Sequence, residues 1–394
     1  MNRHIGIKHL GHNTARRLVS ATAVTLLFAS TPVMASHIQT PAELRTACEN
    51  SSGNIVTLDH STTIIGADGA SLLPVISGCT IVLRPGATLS TEFVRMSFAG
   101  PLVIQSADPT VLNLVKTHLS APSLSVMFTG LDSTIASTES ALDATAGDLT
   151  IAMSARAKIE MVKELPSGPA YGLAATGMVQ ITTRSGFQGL IYEKNIYAGQ
   201  GFRFAQTILG DASALTLGKV ILDAPQGGVS ITGQAGNNKL EISESHLRVR
   251  DGIRLELDGR WSFIGLKQVA MGGWNGVTAS GGVIIGAATT SPEGTVSLSE
   301  VSIFDVATAT VRASALGSVT PTAPRFGVIV VEKSNILPDF DLRIETGRDS
   351  KIEVKENNLA SDTMIRIATG TGASTCLQES NSISGPPQVL QLCP

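Results

Sequence analysis

Apolar residues recur along this chain in a short alternating triplet. The copies read Val179-Gln-Ile181, Phe202-Arg-Phe204, Val229-Ser-Ile231 and Ile253-Arg-Leu255, then Val277-Thr-Ala279, Val311-Arg-Ala313, Leu342-Arg-Ile344 and Ile365-Arg-Ile367. They follow one another at intervals of 23, 27, 24, 24, 34, 31 and 23 residues. Strict alternation predicts a strand with one face buried and one face outward. Four copies follow a glycine, at Gly201, Gly228, Gly252 and Gly276. A unit of this length that repeats cannot bury its apolar face alone; stacking the units can, and the expected architecture is a solenoid.

A second pattern lies between many of the triplets. It runs apolar, any, Glu or Lys, any, polar, apolar, as in "IYEKNI" from Ile191, "ISESHL" from Ile242, "LSEVSI" from Leu298, "VEKSNI" from Val331 and "VKENNL" from Val354. Its two apolar ends are five positions apart and would face opposite ways on a straight strand. A bend turns both inward. Asn195, Asn335 and Asn358, with His246 in another copy, precede the second apolar end, and Asn tolerates the left-handed backbone of a sharp corner. Each copy therefore predicts strand, tight corner, strand, and each coil three short strands. The charged positions Glu193, Lys219, Glu244, Glu300, Lys333 and Glu356 are expected on a solvated face. Longer intervals predict loops at corners, near "GAATTSPEGT" and "LGSVTPTAPRFG". Residues 100–175 fit the repeat least well.

Near the start, "TPAELRTACEN" predicts a short helix with Thr40 as N-cap, Pro41 in the first turn and Glu43 closing a capping box. The coil length, the Asn corners and the Gly-initiated strand together resemble the right-handed parallel β-helix proteins of the pectin-lyase-like superfamily, over roughly residues 55–375. That resemblance implies an all-β, right-handed parallel β-helix solenoid whose open first coil is plugged by the short N-terminal helix, in the segment 36–54.

The ends change the picture. "MNRHIGIKHLGHNTARRLVSATAVTLLFASTPVMAS" has basic residues at Arg3, Lys8, Arg16 and Arg17, an apolar stretch from Leu18 to Ala29, and Val33-Met34-Ala35 as a small-residue cleavage signal. Residues 1–35 read as a secretory signal peptide cut after Ala35, with the general export route fitting better than the twin-arginine one. Its loss removes four basic residues and no acidic ones from a chain with 29 Lys and Arg against 32 Asp and Glu, so the net charge moves from −3 to −7. That balance argues against a nucleic-acid partner, which requires a basic footprint. No later apolar run is long enough to predict a transmembrane segment. The expected location is secreted or periplasmic.

Four cysteines remain, Cys48, Cys79, Cys376 and Cys393. An even number in an exported chain favours disulfides. Three pairings are possible, and proximity favours Cys48–Cys79 and Cys376–Cys393, one staple at each end, with residues 376–394 as a stapled tail. Metal-ligand spacing is absent, and no cofactor motif appears. Asn50-Ser51-Ser52 is a glycosylation sequon in a host that modifies such sites.

The outward middle residues of the eight triplets are Gln180, Arg203, Ser230, Arg254, Thr278, Arg312, Arg343 and Arg366. Arg312, Arg343 and Arg366 would fall on successive coils, and like charges about 5 Å apart repel by ~0.8 kcal/mol in water and ~3 kcal/mol when partly shielded. Glu256 and Glu345 offset some of this. An arginine ladder is either a packed, ion-paired surface or a row that reads repeating carboxylate or sulfate groups. In the superfamily that the chain resembles, the corresponding strand face carries the substrate groove. Candidate ligand-binding residues are thus Arg203, Arg254, Glu256, Arg312, Arg343, Glu345 and Arg366. Trp261 and Trp274, with Arg260 and Lys267 nearby, are either core or sugar platforms.

Catalytic signatures of the superfamily are missing. The polygalacturonase pattern is absent, "MIRIA" at Arg366 only grazing its last element, and there is no calcium-binding aspartate cluster of the pectate-lyase kind. The expected function is non-catalytic binding of an anionic polysaccharide along the arginine-bearing face. The alternatives are a polysaccharide lyase or glycoside hydrolase, and a structural or adhesive surface protein.

Overall fold

Each turn of the chain crosses three strands, and each strand pairs in parallel with its counterpart one coil away. The computed structural model describes residues 33–34, 38–166, 170–206, 212–234, 236–288, 293–314, 327–370, 372–385 and 387–393. The leader reading falls almost wholly outside these residues, as does most of the "LGSVTPTAPRFG" loop. The protein is a parallel β-solenoid of about 12 turns. The first sheet has 15 strands, from Val33–Met34 and Ile55–Leu58 through Met178–Thr183 to Val389–Gln391. A second ladder runs upward from Thr62–Ile65 and a third from Leu73–Val75. These two fuse where Lys239–Val249 and Ser262–Gly273 pass through their corner unbroken, making one 24-stranded sheet.

The core is built of rows rather than layers. Val179, Phe202, Val229, Ile253, Val283, Ala309, Leu342 and Ile365 stand in successive register, and all are buried. Burying each large aliphatic side chain contributes roughly 1.5–3 kcal/mol. The fifth triplet therefore differs from the sequence reading: the strand is Val283–Ala287, not the segment around Val277. Val277 is 48% exposed and follows a single 3-10 turn, Trp274–Gly276, with Asn275 and Gly276 both at positive φ. Gly276-Val277 imitates a Gly-initiated strand but belongs to the corner that precedes one.

The tight corner also differs from expectation in a specific way. The left-handed residue is the charged one, not the asparagine: φ is 50° at Glu193, 51° at Lys219, 48° at Glu244, 55° at Glu300, 51° at Lys333 and 55° at Glu356. The amides at these positions bond to the next coil, as in Glu193 N–H to Gly218 O at 2.9 Å and Lys333 N–H to Lys355 O at 3.1 Å. The side chain then points to solvent, as the charge pattern predicts. Asn195, Asn335 and Asn358 instead open the following strand. The residue between them turns inward. In five coils it is a Ser or Asn whose side chain accepts the amide of its counterpart one coil earlier: Ser140 from Thr117, Ser245 from Val220, Ser334 from Val301, Asn357 from Ser334 and Asn381 from Asn357, at 2.8–3.1 Å. The bend leaves that buried amide without a sheet partner, and the ladder satisfies it.

Residues 100–175 prove regular, with strands from Leu102–Ser106 to Leu173–Ala175. Their corners carry Thr117 and Ser140 at the inward position, polar residues that disguise the apolar pattern. One coil is longer: Lys163 keeps the left-handed corner at φ 61°, but the chain then makes an excursion before re-entering at Leu173.

The N-terminal helix Pro41–Asn50 has the expected capping box. The Thr40 hydroxyl accepts the Glu43 amide at 3.2 Å, and the Glu43 carboxylate accepts the Thr40 and Gln39 amides at 3.0 and 2.7 Å. Leu44 and Cys48 are buried against the first coil. Cys48 is bonded to Cys79 on the first sheet, with Cα atoms 5.3 Å apart, and Glu49 accepts the Ile76 amide. Cys376 is bonded to Cys393 in the last coil. No described helix is long and apolar enough to cross a membrane.

Candidate functional site

The outer face of the first sheet carries every arginine expected there. Alternation alone puts them outward, because Val-x-Val, Phe-x-Phe and Ile-x-Ile neighbours bury the other parity. Arg203 and Arg254 are exposed, while Arg312, Arg343 and Arg366 are partly covered. Their partners are not those of a single ladder. In register, one row reads Gln180, Arg203, Ser230, Arg254, Ile284, Thr310, Arg343 and Arg366. Arg312 lies two positions further along its strand and stands opposite Glu345. The expected column of Arg312, Arg343 and Arg366 is thus a column of two, Arg343 beside Arg366. The sixth strand pairs through Ala309-Thr-Val311, so Val311-Arg-Ala313 sits two residues past the row. Thr278 leaves the row because the fifth strand is Val283–Ala287, where Ile284 takes the middle position.

Carboxylates are interleaved with these guanidiniums. Arg343 Nη2 lies 3.0 Å from Asp341 Oδ2, and Arg366 Nε lies 3.3 Å from Glu345 Oε1. Glu345 also faces Arg312 at 4.0 Å, and its side chain is only 9% exposed. Arg254 pairs with Glu256 two residues along the same strand. Asp341 precedes Arg343 and Glu345 lies beyond Arg366's register position, so the two stacked guanidiniums are drawn toward opposite ends of their strands. That geometry relieves the repulsion expected of like charges one strand spacing apart. Arg203 has no carboxylate within ion-pair distance among the described residues; its neighbours in register are Gln180 and Ser230. Across the face, five guanidiniums meet three carboxylates. Pairs as exposed as Arg254–Glu256 contribute about 0–1 kcal/mol and exchange readily for a ligand's carboxylate.

The tryptophans divide. Trp261 is 56% exposed, sits at a corner with φ 57°, and has the Arg260 guanidinium 4.3 Å from its ring centre. Arg260 in turn pairs with Glu293. Trp274 is half-buried beneath Arg248, at 5.2 Å.

Two constellations escape a reading of the sequence. On the third ladder, buried Asp223 receives Arg248 through two bonds of 2.6 and 2.8 Å and the Tyr171 hydroxyl at 3.2 Å. Burial, followed by the Asp223 charge, raises the Tyr171 hydroxyl's pKa. The 25-residue offset between Asp223 and Arg248 is one coil, so the pair is visible only once the register is known. Inside the tight corner, Lys194 is fully buried and donates to the Ser140 carbonyl at 2.5 Å. Burial pulls its amine down to about 8 and raises the nearby Glu164 carboxyl. The signal was present in "YEKNI": a lysine at a position that holds Ser, Val or Asn in other copies.

No family model matches the chain, and neither a curated protein nor a solved structure matches it.

Proposed function

We propose that this protein is exported and binds an anionic polysaccharide along the outer face of its first sheet, without chemistry of its own. The observation that carries the reading is the excess of five guanidiniums over three carboxylates on one rigid face, in a chain whose formal net charge is −3. Parallel strands spaced ~4.8 Å apart set these groups at multiples of that spacing along the axis. Planar guanidiniums suit the two oxygens of a carboxylate or sulfate. The resemblance to pectin-lyase-like proteins supports the choice of face, since the corresponding strands carry the groove there. Export is supported by the basic, apolar and small-residue order of the leader and by two disulfides, which persist in oxidising compartments.

The test is retention on immobilised polyuronate and sulfated glycan at low salt. Wild type is expected to bind and to elute earlier as salt rises. Arg203→Ala with Arg343→Ala and Arg366→Ala should elute at markedly lower salt. Passage of the wild-type protein through every such column at low ionic strength overturns the reading.

A further inference from the structure

One cleft draws together several departures from the repeat. It has a volume of about 270 Å³ and lies between the turn at Ala67–Gly69 and the arm Leu165–Pro166, with Phe93, Arg95 and Lys116 on its floor. The coil entered at Lys158–Val162 turns through left-handed Lys163, φ 61°, like its sisters, but extra residues follow before the next strand begins at Leu173. It makes the excursion noted above, and Leu165 is buried. An insertion that sister coils lack is where function concentrates on a regular scaffold. The opposite wall is equally specific. Gly66 donates to the Glu92 carbonyl at 2.8 Å, and a Cβ there would stand 2.2 Å from the Phe93 carbonyl oxygen. Only glycine lets this turn seat against the corner, and it brings Asp68 to the cleft.

The floor is unusual too. Phe93 holds φ 55°, a conformation unfavourable for a bulky residue, at a corner position filled by Lys or Glu in most later coils. Lys116, on the next corner, extends its ammonium to 4.9 Å from the Phe93 ring centre. Arg95 stands in register with His118, which is buried and whose Nε2 has no hydrogen-bond partner. Burial, followed by the Arg95 charge, lowers the His118 pKa.

We propose that this cleft binds a single acidic sugar residue, free or at a chain end, with its carboxylate on Arg95 and Lys116, a hydroxyl on Asp68 and its C–H face against Leu165 and Pro166. The two cations select an anion. Asp68 disfavours a compact dianion such as phosphate and accepts a hydroxyl instead. The volume falls just below the roughly 300–1,000 Å³ typical of small-molecule pockets, which suits one pyranose rather than a polymer. The ligand class rests on the proposed glycan function, but the site is separate from the arginine face.

The experiment is calorimetric titration of the whole protein with galacturonate and glucuronate to ~10 mM, ten times a Kd of ~1 mM. Galactose, inorganic phosphate and a trisaccharide of galacturonate are the comparison ligands. Saturable binding of a uronate with one site is expected, with galactose and phosphate inert. Lys116→Asn, which keeps a residue tolerant of the left-handed corner, and Arg95→Gln should each weaken it on the order of tenfold, as loss of a charged hydrogen bond does. Arg343→Ala/Arg366→Ala should leave it unchanged. Trisaccharide binding lost in the same two cleft variants assigns the chain end as a source, and binding of the monosaccharide alone assigns the free sugar. Absence of saturable uronate binding, or binding indifferent to both cleft variants in proteins that melt like wild type, overturns the proposal. Polymer retention is measured on the same samples, so failure of the cleft is distinguished from failure of the arginine face.

Discussion

Lys194 offers a sharp physical test of the fold. Its ammonium lies inside the solenoid, where the sister coils place a Ser, Val or Asn, and it reaches past the excursion to the Ser140 carbonyl two coils away. Glu164 stands nearby, one oxygen accepting the Asn195 amide and the other buried without a partner. Burial dominates both groups: it depresses the lysine from 10.5 to about 8 and raises the carboxyl. A shift of one unit corresponds to about 1.4 kcal/mol, so the lysine carries a linkage of ~3 kcal/mol.

The sign follows from proton counts. Below pH 8 the lysine is charged in both states, and the folded protein bears the full penalty. Between pH 8 and 10.5 the unfolded chain holds more protons than the folded one, so stability rises with pH. Lys194→Met removes that dependence while nearly keeping the volume. The difference in unfolding free energy between wild type and Lys194→Met should therefore move in favour of wild type by ~3 kcal/mol from pH 7 to pH 10.5. Urea midpoints at four pH values, measured on both proteins, give that difference, and other titrating groups cancel in it. Every cysteine is paired, so thiol exchange does not intrude. Parallel stability profiles for the two proteins would show that the amine is hydrated and that the buried geometry is wrong. At pH 7 the additional change Glu164→Gln should stabilise Lys194→Met, because it discharges a carboxylate left buried without a cation.

Three further outcomes follow from the packing. Replacing Cys48 and Cys79 by Ser opens a loop of sequence separation 31 and should lower stability by about 3–4 kcal/mol on the chain-entropy account, read as a lower thermal midpoint than wild type without reductant. Asn357→Ala strips an acceptor from the Ser334 amide and a donor from the Val331 carbonyl, both buried, and should cost about 2–6 kcal/mol in urea unfolding at ~1–3 kcal/mol per orphaned group. Lys333→Asn should stabilise by roughly 0.5–1 kcal/mol, since φ is 51° there and Asn relieves the left-handed penalty; destabilisation would mean that the lysine side chain itself supports the corner.

The solenoid was legible because its cause is local and repeated. A two-residue period and a two-dozen-residue recurrence need no knowledge of distant partners, and the capping box is contained within four residues. The corner was half legible. The conserved shape of "VKENNL" marked a bend, but two adjacent asparagines have opposite roles: Asn357 points inward to feed a buried amide, while Asn358 begins a strand. Propensity favours Asn at a left-handed position, yet Glu and Lys occupy it, because the outward direction of that side chain outweighs a penalty of ~1–2 kcal/mol. The Arg95 cleft was not legible at all. Its walls come from residues nearly a hundred apart, and the excursion that closes it hides in a stretch whose polar inward residues blurred the repeat.

The arginine face shows why partners are harder to read than faces. A slip of one residue would have turned Arg312 into the core, and the flanking Val311 and Ala313 forbid it, since the buried row must stay apolar. A slip of two residues leaves every apolar side chain inside and is invisible to the hydrophobic pattern. It nevertheless moves Arg312 from beside Arg343 to opposite Glu345, and turns a column of like charges into an ion-paired cluster. Hydrophobicity thus determines which side chains meet solvent, while the lengths of the corners determine which of them meet one another. Charge chemistry on a solenoid depends on the second of these.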